Sequence, residues 1–192
     1  IRTRARSGRR SVVHHPAVAV IVLPYPSLVV LVGAAGSGKS TFAARHFARD
    51  EVLSSDAFRA AIAGDAADQS ATRAAFRALH GSLDRRLRSG RLSVVDATNL
   101  TRDARRAVVT RAAVAGVPST AIVLDLAPAI VLERNAARRD RVVPEDVVRR
   151  HLGQVRRIVD DAGLDGDGFD QIVVAHNPAE VDALEIRRMP RS

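Results

Sequence analysis

Hydrophobic positions along the chain fall into two alternating rhythms. Short apolar runs occur at 17–23, 27–32, 51–54, 92–95, 120–126 and 171–175. Continuous apolar runs of this length are the pattern of strands buried on both faces. Between them lie amphipathic stretches at 41–49, 57–63, 70–89, 102–115, 128–139 and 144–161, which predict helices. In the longest, Ala74, Leu79, Leu83 and Leu87 fall near helical spacing and Gly90 ends the run. Gly116 and Pro118 stop the next helix, and Pro128 occupies the first turn of the one after. Residues 163–168 form a glycine–aspartate loop. Strand–helix alternation with apolar strands predicts an α/β fold, a mainly parallel sheet with helices on both faces. The first two runs flank Pro24-Tyr25-Pro26 and are expected to pair as a hairpin whose second strand passes into Gly33. Residues 1–16 are rich in Arg and Ser with no apolar period, and read as a disordered basic arm before one domain over 17–192.

Composition narrows the class. A chain of 192 residues is long enough to bury one sizeable core. The absence of cysteine excludes a disulfide framework, a thiolate zinc site, an iron–sulfur cluster and a cysteine nucleophile. It fits a reducing compartment, so a cytoplasmic location is expected. No run approaches the ~20 apolar residues of a membrane helix, so no membrane partner is expected. The first residue is Ile1, and no signal-peptide pattern follows it.

The net charge of +9 comes from 29 arginines and one lysine against 21 acids. Arg2, Arg4, Arg6, Arg9 and Arg10 lie in the arm, and without them the remainder stands at +4. A basic surplus favours an anionic partner such as nucleic acid, although a general bias toward Ala and Arg gives the same numbers. With only 3% aromatic residues, a binder that works by stacking many bases is disfavoured, and any nucleic acid would be held mainly through its phosphates. The six histidines make no metal-ligand pattern, and His80 and His151 read as helix-surface or packing residues.

One motif carries chemistry. Gly33-Ala34-Ala35-Gly36-Ser37-Gly38-Lys39-Ser40 matches G-x-x-x-x-G-K-[ST] between a predicted strand and a predicted helix. Gly33, Gly36 and Gly38 permit a tight loop whose backbone N–H groups, with those of Ser37 and Thr41, face phosphate oxygens at a helix N-terminus. Lys39 reaches the β- and γ-phosphates, and the Ser40 hydroxyl is placed to ligate Mg²⁺. Lys39 is also the only lysine in the chain. Asp96 ends an apolar strand in Val94-Val95-Asp96-Ala97-Thr98-Asn99, either as a second Mg²⁺-holding residue or as the cap of the next helix. Asp56 and Arg59, three apart at a helix start, offer a carboxylate for a hydroxyl proton and a guanidinium for a phosphate; a helix cap beside a solvated arginine fits the spacing equally. Arg134, Arg138 and Arg141 form a lid over a triphosphate or a solvated basic face.

Together these residues resemble the 5′-kinase module of bacterial polynucleotide kinase-phosphatases, within the P-loop polynucleotide kinase family. The likeness runs from about residue 21 to 189. Its more specific pieces are Glu51-Val52-Leu53-Ser54-Ser55-Asp56, Asp68-Gln69-Ser70-Ala71-Thr72, the segment ending at Asn99, and Glu133-Arg134-Asn135 with Arg138 and Asp140-Arg141. The resemblance implies a P-loop kinase that transfers the ATP γ-phosphate to a 5′-hydroxyl of DNA or RNA during nucleic-acid repair. It implies ATP and Mg²⁺ as cofactors, Lys39 and Ser40 on the triphosphate and metal, Asp56 as general base, and Arg59 on the 3′-phosphate of the terminal nucleotide. It further implies Arg134, Arg138 and Arg141 over the ATP phosphates, with Arg138 foremost, and Asp96, Thr98 and Asn99 beside the acceptor. No metallophosphatase Asp/His motif is present, so removal of 3′-phosphates is not expected. Asp160, Asp161, Asp165 and Asp167 form an acidic segment that favours a small-molecule or nucleotide kinase on the same scaffold, whereas Arg59 and the basic surplus favour the polynucleotide acceptor. A non-catalytic ATP-binding regulator is a third reading, which needs Lys39 but not Asp56.

Overall fold

The apolar runs become strands and the amphipathic stretches helices in the computed structural model, which describes residues 11–14, 19–62, 69–138, 142–161 and 163–189. In chain order the elements are β1 (Ser11–His14), β2 (Ala19–Pro24), β3 (Leu28–Gly33), α1 (Lys39–His46), β4 (Val52–Ser54), α2 (Ser55–Ile62), α3 (Gln69–Arg88) and β5 (Ser93–Asp96). They continue with α4 (Arg102–Val114), β6 (Ser119–Leu124), α5 (Pro128–Ala136), α6 (Glu145–Asp160), β7 (Gln171–Ala175), α7 (Pro178–Ala183) and β8 (Leu184–Met189). Six strands form one parallel sheet in the order β1-β7-β6-β3-β5-β4.

The sheet is central because its middle strand is apolar on both sides. Leu28, Val30 and Val32 of β3 point to one face, where they meet Leu79 and Leu83 of α3, Val108 of α4 and Val155 of α6. Val29 and Leu31 point to the other, against Phe42 and Ala43 of α1, Ile21 and Leu23 of β2 and Leu184 of β8. The central strands therefore separate two hydrophobic layers, and the carboxyl ends of β3, β4 and β5 emerge together at one edge. No helix among the described residues is long and apolar enough to cross a membrane.

Three expectations are corrected. The runs on either side of Pro24-Tyr25-Pro26 do not pair as a hairpin. Both edges of β3 are taken, by β5 and β6, so β2 pairs in parallel with β8 in a separate two-stranded sheet that lies against the second layer. Tyr25 N seals that junction by donating to Met189 O at 2.7 Å. Second, Ser11–His14, counted in the basic arm, forms the edge strand beside β7. The β-branched pair Val12-Val13 suits an edge position, where backbone pairing substitutes for an apolar period. The five arm arginines lie outside the described residues. Third, the helix expected to reach residue 139 ends at Ala136. Buried Asn135 stops it by closing the next loop: its Nδ2 donates to Val143 O at 2.8 Å, and Val143 N donates to its Oδ1 at 3.2 Å.

The segment 178–189, to which no element is assigned from its pattern, adds α7 and β8. Pro178 sits in the first turn and the Asn177 side chain accepts from Glu180 N at 2.9 Å, a proline start with a capped N-terminus.

Candidate active site

A cleft of about 900 Å³ opens where the carboxyl ends of the central strands meet the N-terminus of α1. Its floor is the loop from β3 to α1. Gly36 holds φ at 85°, and a Cβ there would come within 2.7 Å of Val131 O. Gly38 precedes the helix at φ 96°. Both conformations belong to glycine. Gly36, Ser37, Gly38, Lys39, Ser40 and Thr41 line the cleft. Gly33 does not; its N–H donates to Thr98 O at 3.1 Å and ties the start of the loop to the segment after β5.

Lys39 is 8% exposed. Its ammonium donates to Ala34 O at 2.7 Å and more weakly to Ser37 Oγ at 3.4 Å. Burial pushes its pKa from 10.5 down to about 8; the nearby Asp96 carboxylate opposes the shift, and the Arg138 guanidinium adds to it. Ser40 Oγ donates to Asp96 Oδ2 at 2.7 Å. Asp96 does not cap α4, which is capped by Thr101, whose Oγ1 accepts from Ala104 N at 3.2 Å. A hydroxyl and a largely buried carboxylate side by side form an oxygen pair that fits Mg²⁺.

At the far end of the cleft stand Asp56 and Arg59. The cap of α2 is Ser54, whose Oγ accepts from Ala57 N at 3.4 Å. Asp56 is therefore not spent on capping, and its Oδ1 accepts from Arg59 Nη2. Arg134 and Arg138 line the opposite wall. Arg134 Nη1 lies 3.5 Å from the place a Cβ on Gly38 would take, so its guanidinium overhangs the loop. Arg138 reaches the cleft from beyond the end of α5, in the loop that Asn135 closes, and not from within a helix predicted over 128–139. Arg141 and Asp68 lie outside the described residues.

Thr98 lines the cleft; Asn99 does not. The Asn99 side chain is buried at φ 50° and its Nδ2 donates to Leu31 O at 2.7 Å. That amide braces the central strand and is not free to touch an acceptor in the cleft.

The structure adds residues with no local signal. Phe76 of α3, with Val143 and with Val147 and His151 of α6, closes the cleft above the loop, while Arg45, Pro178 and Asp182 rim its other end. Arg45 Nη1 donates to Asp182 Oδ1 at 2.9 Å across 137 positions of sequence. His151, expected at a surface or in packing, is half-buried on the cleft side of α6, since Val148 and Val155 on the same face enter the core. Burial lowers its pKa, and the charges of Lys39 and Arg150 lower it further.

The acidic segment is partly neutralised within the fold. Asp160 pairs with Arg156 at 3.5 Å. Asp167 is buried and accepts from Arg105 Nε at 2.6 Å and Arg102 Nε at 3.2 Å. Arg105, 2% exposed, also donates to Asn99 O at 3.2 Å, Leu100 O at 2.9 Å and Gly163 O at 3.2 Å. It holds the loop after β5 against the loop before β7. Arg105→Ala would leave the Asp167 carboxylate buried with only Arg102 beside it. The expected loss is about 3 kcal/mol in urea denaturation, and adding Asp167→Leu is expected to recover part of it. An unchanged midpoint in the single variant would show that water replaces the guanidinium at no cost.

The fold is shared with known proteins. A chain of the Pnkp1/Rnl/Hen1 RNA repair complex is similar at 26% identity and a TM-score of 0.63, over 71% of this chain and 46% of that one. This chain thus spans less than half the length of that relative. A sugar kinase from Janibacter shares the fold at 21% identity and a TM-score of 0.54, over 79% of this chain and 85% of that one. The APS kinase CysC of Mycobacterium tuberculosis does so at 17% identity and a TM-score of 0.50, over 83% of this chain and 94% of that one. No curated protein shows a significant sequence match. Residues 28–161 match the family described as AAA domain. With its glycine-rich cradle, buried lysine and parallel sheet, the chain belongs to that family and has the fold of the P-loop kinases, which implies nucleotide binding.

Proposed function

We propose that the protein is an ATP-dependent polynucleotide 5′-hydroxyl kinase acting in the repair of nucleic-acid ends. The observation that carries the reading is the placement of the Asp56–Arg59 pair in the same cleft as Lys39, at the end away from the Arg45–Asp182 rim. A P-loop needs neither residue to bind ATP. Transfer to a hydroxyl that stands beside a phosphate has a use for both, one group to take the hydroxyl proton and one to hold that phosphate. The likeness to a chain of an RNA repair complex points the same way.

In this reading the loop N–H groups and Lys39 hold the triphosphate, and Arg134 and Arg138 cover its outer oxygens. Ser40 and Asp96 would hold Mg²⁺, which when bound with ATP neutralises phosphate charge. Arg59 takes the 3′-phosphate of the terminal nucleotide and so turns its 5′-hydroxyl toward the γ-phosphorus. The hydroxyl oxygen forms a bond to that phosphorus as the bond to the β-bridging oxygen breaks. Asp56 accepts the hydroxyl proton and ADP leaves. Alignment and charge neutralisation supply most of the rate enhancement, as in phosphoryl transfer generally.

The test is transfer from γ-labelled ATP to a 5′-hydroxyl oligonucleotide, with a 5′-phosphorylated oligonucleotide, nucleosides and sugars alongside. Label on the 5′-hydroxyl strand alone is the expected result. Label on a nucleoside or sugar alone would replace the reading by a small-molecule kinase, and ATP binding without transfer by a regulatory role.

A further inference from the structure

A second, smaller cavity of about 470 Å³ adjoins the cleft and shares Phe76, Thr98 and His151 with it. It runs between α3, α4 and α6 on the side away from the Arg45–Asp182 rim. We propose that this chamber is an acceptor subsite that takes an uncharged, flat heterocycle, a nucleobase from the 5′ end of the strand. The inference rests on the polynucleotide kinase reading and deepens it.

The chemistry of the walls selects the ligand. Leu79, Leu100, Ala104 and Ala107 make the sides apolar. No lysine or arginine lines the chamber among the described residues, and Asp103 stands at its rim. A phosphate would meet repulsion there and no cation, so the chamber suits an uncharged group. The cation for a phosphate is Arg59, in the cleft. The division matches the two halves of a nucleotide, phosphate on Arg59 and base in the chamber.

Directional groups suit a base edge. Gln154 at the mouth offers both a donor and an acceptor. His151 Nδ1 is buried without a hydrogen-bond partner among the described residues. Burial and neighbouring cations favour the neutral ring, in which one nitrogen donates and the other accepts. Phe76 lines both cavities and brings an aromatic ring, the kind of group on which bases stack, to their junction. A pocket of apolar walls with a few directional polar groups is the usual form of a small-ligand site. An acceptor that needs one base in a fitted chamber also agrees with a chain too poor in aromatics to stack a long strand.

The test compares 5′-hydroxyl oligonucleotides that are intact, abasic at the first nucleotide, or abasic at the second, with ATP saturating. Loss of one base is expected to lower kcat/KM about tenfold, in line with the worth of one stacked base. A second arm fills the chamber with Ala104→Phe and, separately, Ala107→Phe, both half-buried positions on α4. The filled variants are expected to treat intact and abasic strands alike and to show a raised KM for the intact strand. Equal use of all three strands by the unaltered protein overturns the subsite and leaves the kinase reading standing. So does full discrimination by both filled variants. No transfer to any strand, with transfer to a sugar or nucleoside, overturns the kinase reading and the subsite with it.

Discussion

Replacing Asp56 by asparagine is expected to lower kcat for a 5′-hydroxyl oligonucleotide by about 10²–10⁴-fold, the range for loss of a general base. The KM for ATP is expected to stay within about twofold. The two effects separate because the cleft has two ends. Lys39 and Ser40 open α1, whereas Asp56 lies in the first turn of α2 and pairs with Arg59 three residues on. Asparagine is nearly the same shape and still offers Arg59 an acceptor oxygen, so the guanidinium keeps its place, but the amide cannot take a proton. The carboxylate also sits favourably at a helix N-terminus, so the substitution costs stability of only about 0.5 kcal/mol, too little to mimic a catalytic defect. Steady-state kinetics with each substrate varied in turn would check it. Retention of more than about a tenth of kcat would place the base elsewhere in the cleft, and an equal rise in the ATP KM would mean that Asp56 acts on the donor side.

The parts of the site legible in sequence are those whose geometry is local. The loop is built from consecutive residues, and Gly36 and Gly38 announce its turns because few other residues adopt a positive φ. Asp96 is legible as the end of an apolar run, but its meeting with Ser40, 56 positions away, is not. Asn99 follows a motif-bearing strand, but its place is not local: its Nδ2 donates to Leu31 O, and it lines the smaller cavity and not the cleft. The parallel sheet follows from runs too apolar for a solvated face. The pairing of β2 with β8 could not, since parallel register across the whole chain leaves no mark on either strand. Phe76, His151 and Asp182 enter the cleft through helix packing alone, and each has a sequence neighbourhood like that of any helix in this chain.

The apo protein carries an electrostatic cost in the same cradle. Lys39→Met is expected to raise the melting temperature of the nucleotide-free chain at pH 7 by about 5 °C while abolishing stabilisation by ATP with Mg²⁺. Burial holds the Lys39 pKa near 8 against an ordinary 10.5, so keeping the ammonium charged at pH 7 costs about 3 kcal/mol. Losing the hydrogen bond to Ala34 O returns about 1 kcal/mol of that. Between about pH 8 and 10.5 the unfolded chain holds more protons at this residue than the folded one, so the stability of the unaltered protein rises with pH across that window. The variant has no such slope. The gap between the two melting curves is therefore expected to be full below pH 8 and to close toward pH 10.5. Binding of a triphosphate reverses the balance, because its negative charge sits against the ammonium and offsets the cost of burying it. At one hundred times Kd the unaltered protein should gain about 2.7 kcal/mol from ATP, and the variant nothing measurable. Thermal melts with and without ATP across this pH range would check both halves. A variant that melts lower at pH 7 would mean that the hydrogen bonds of the empty cradle outweigh its buried charge.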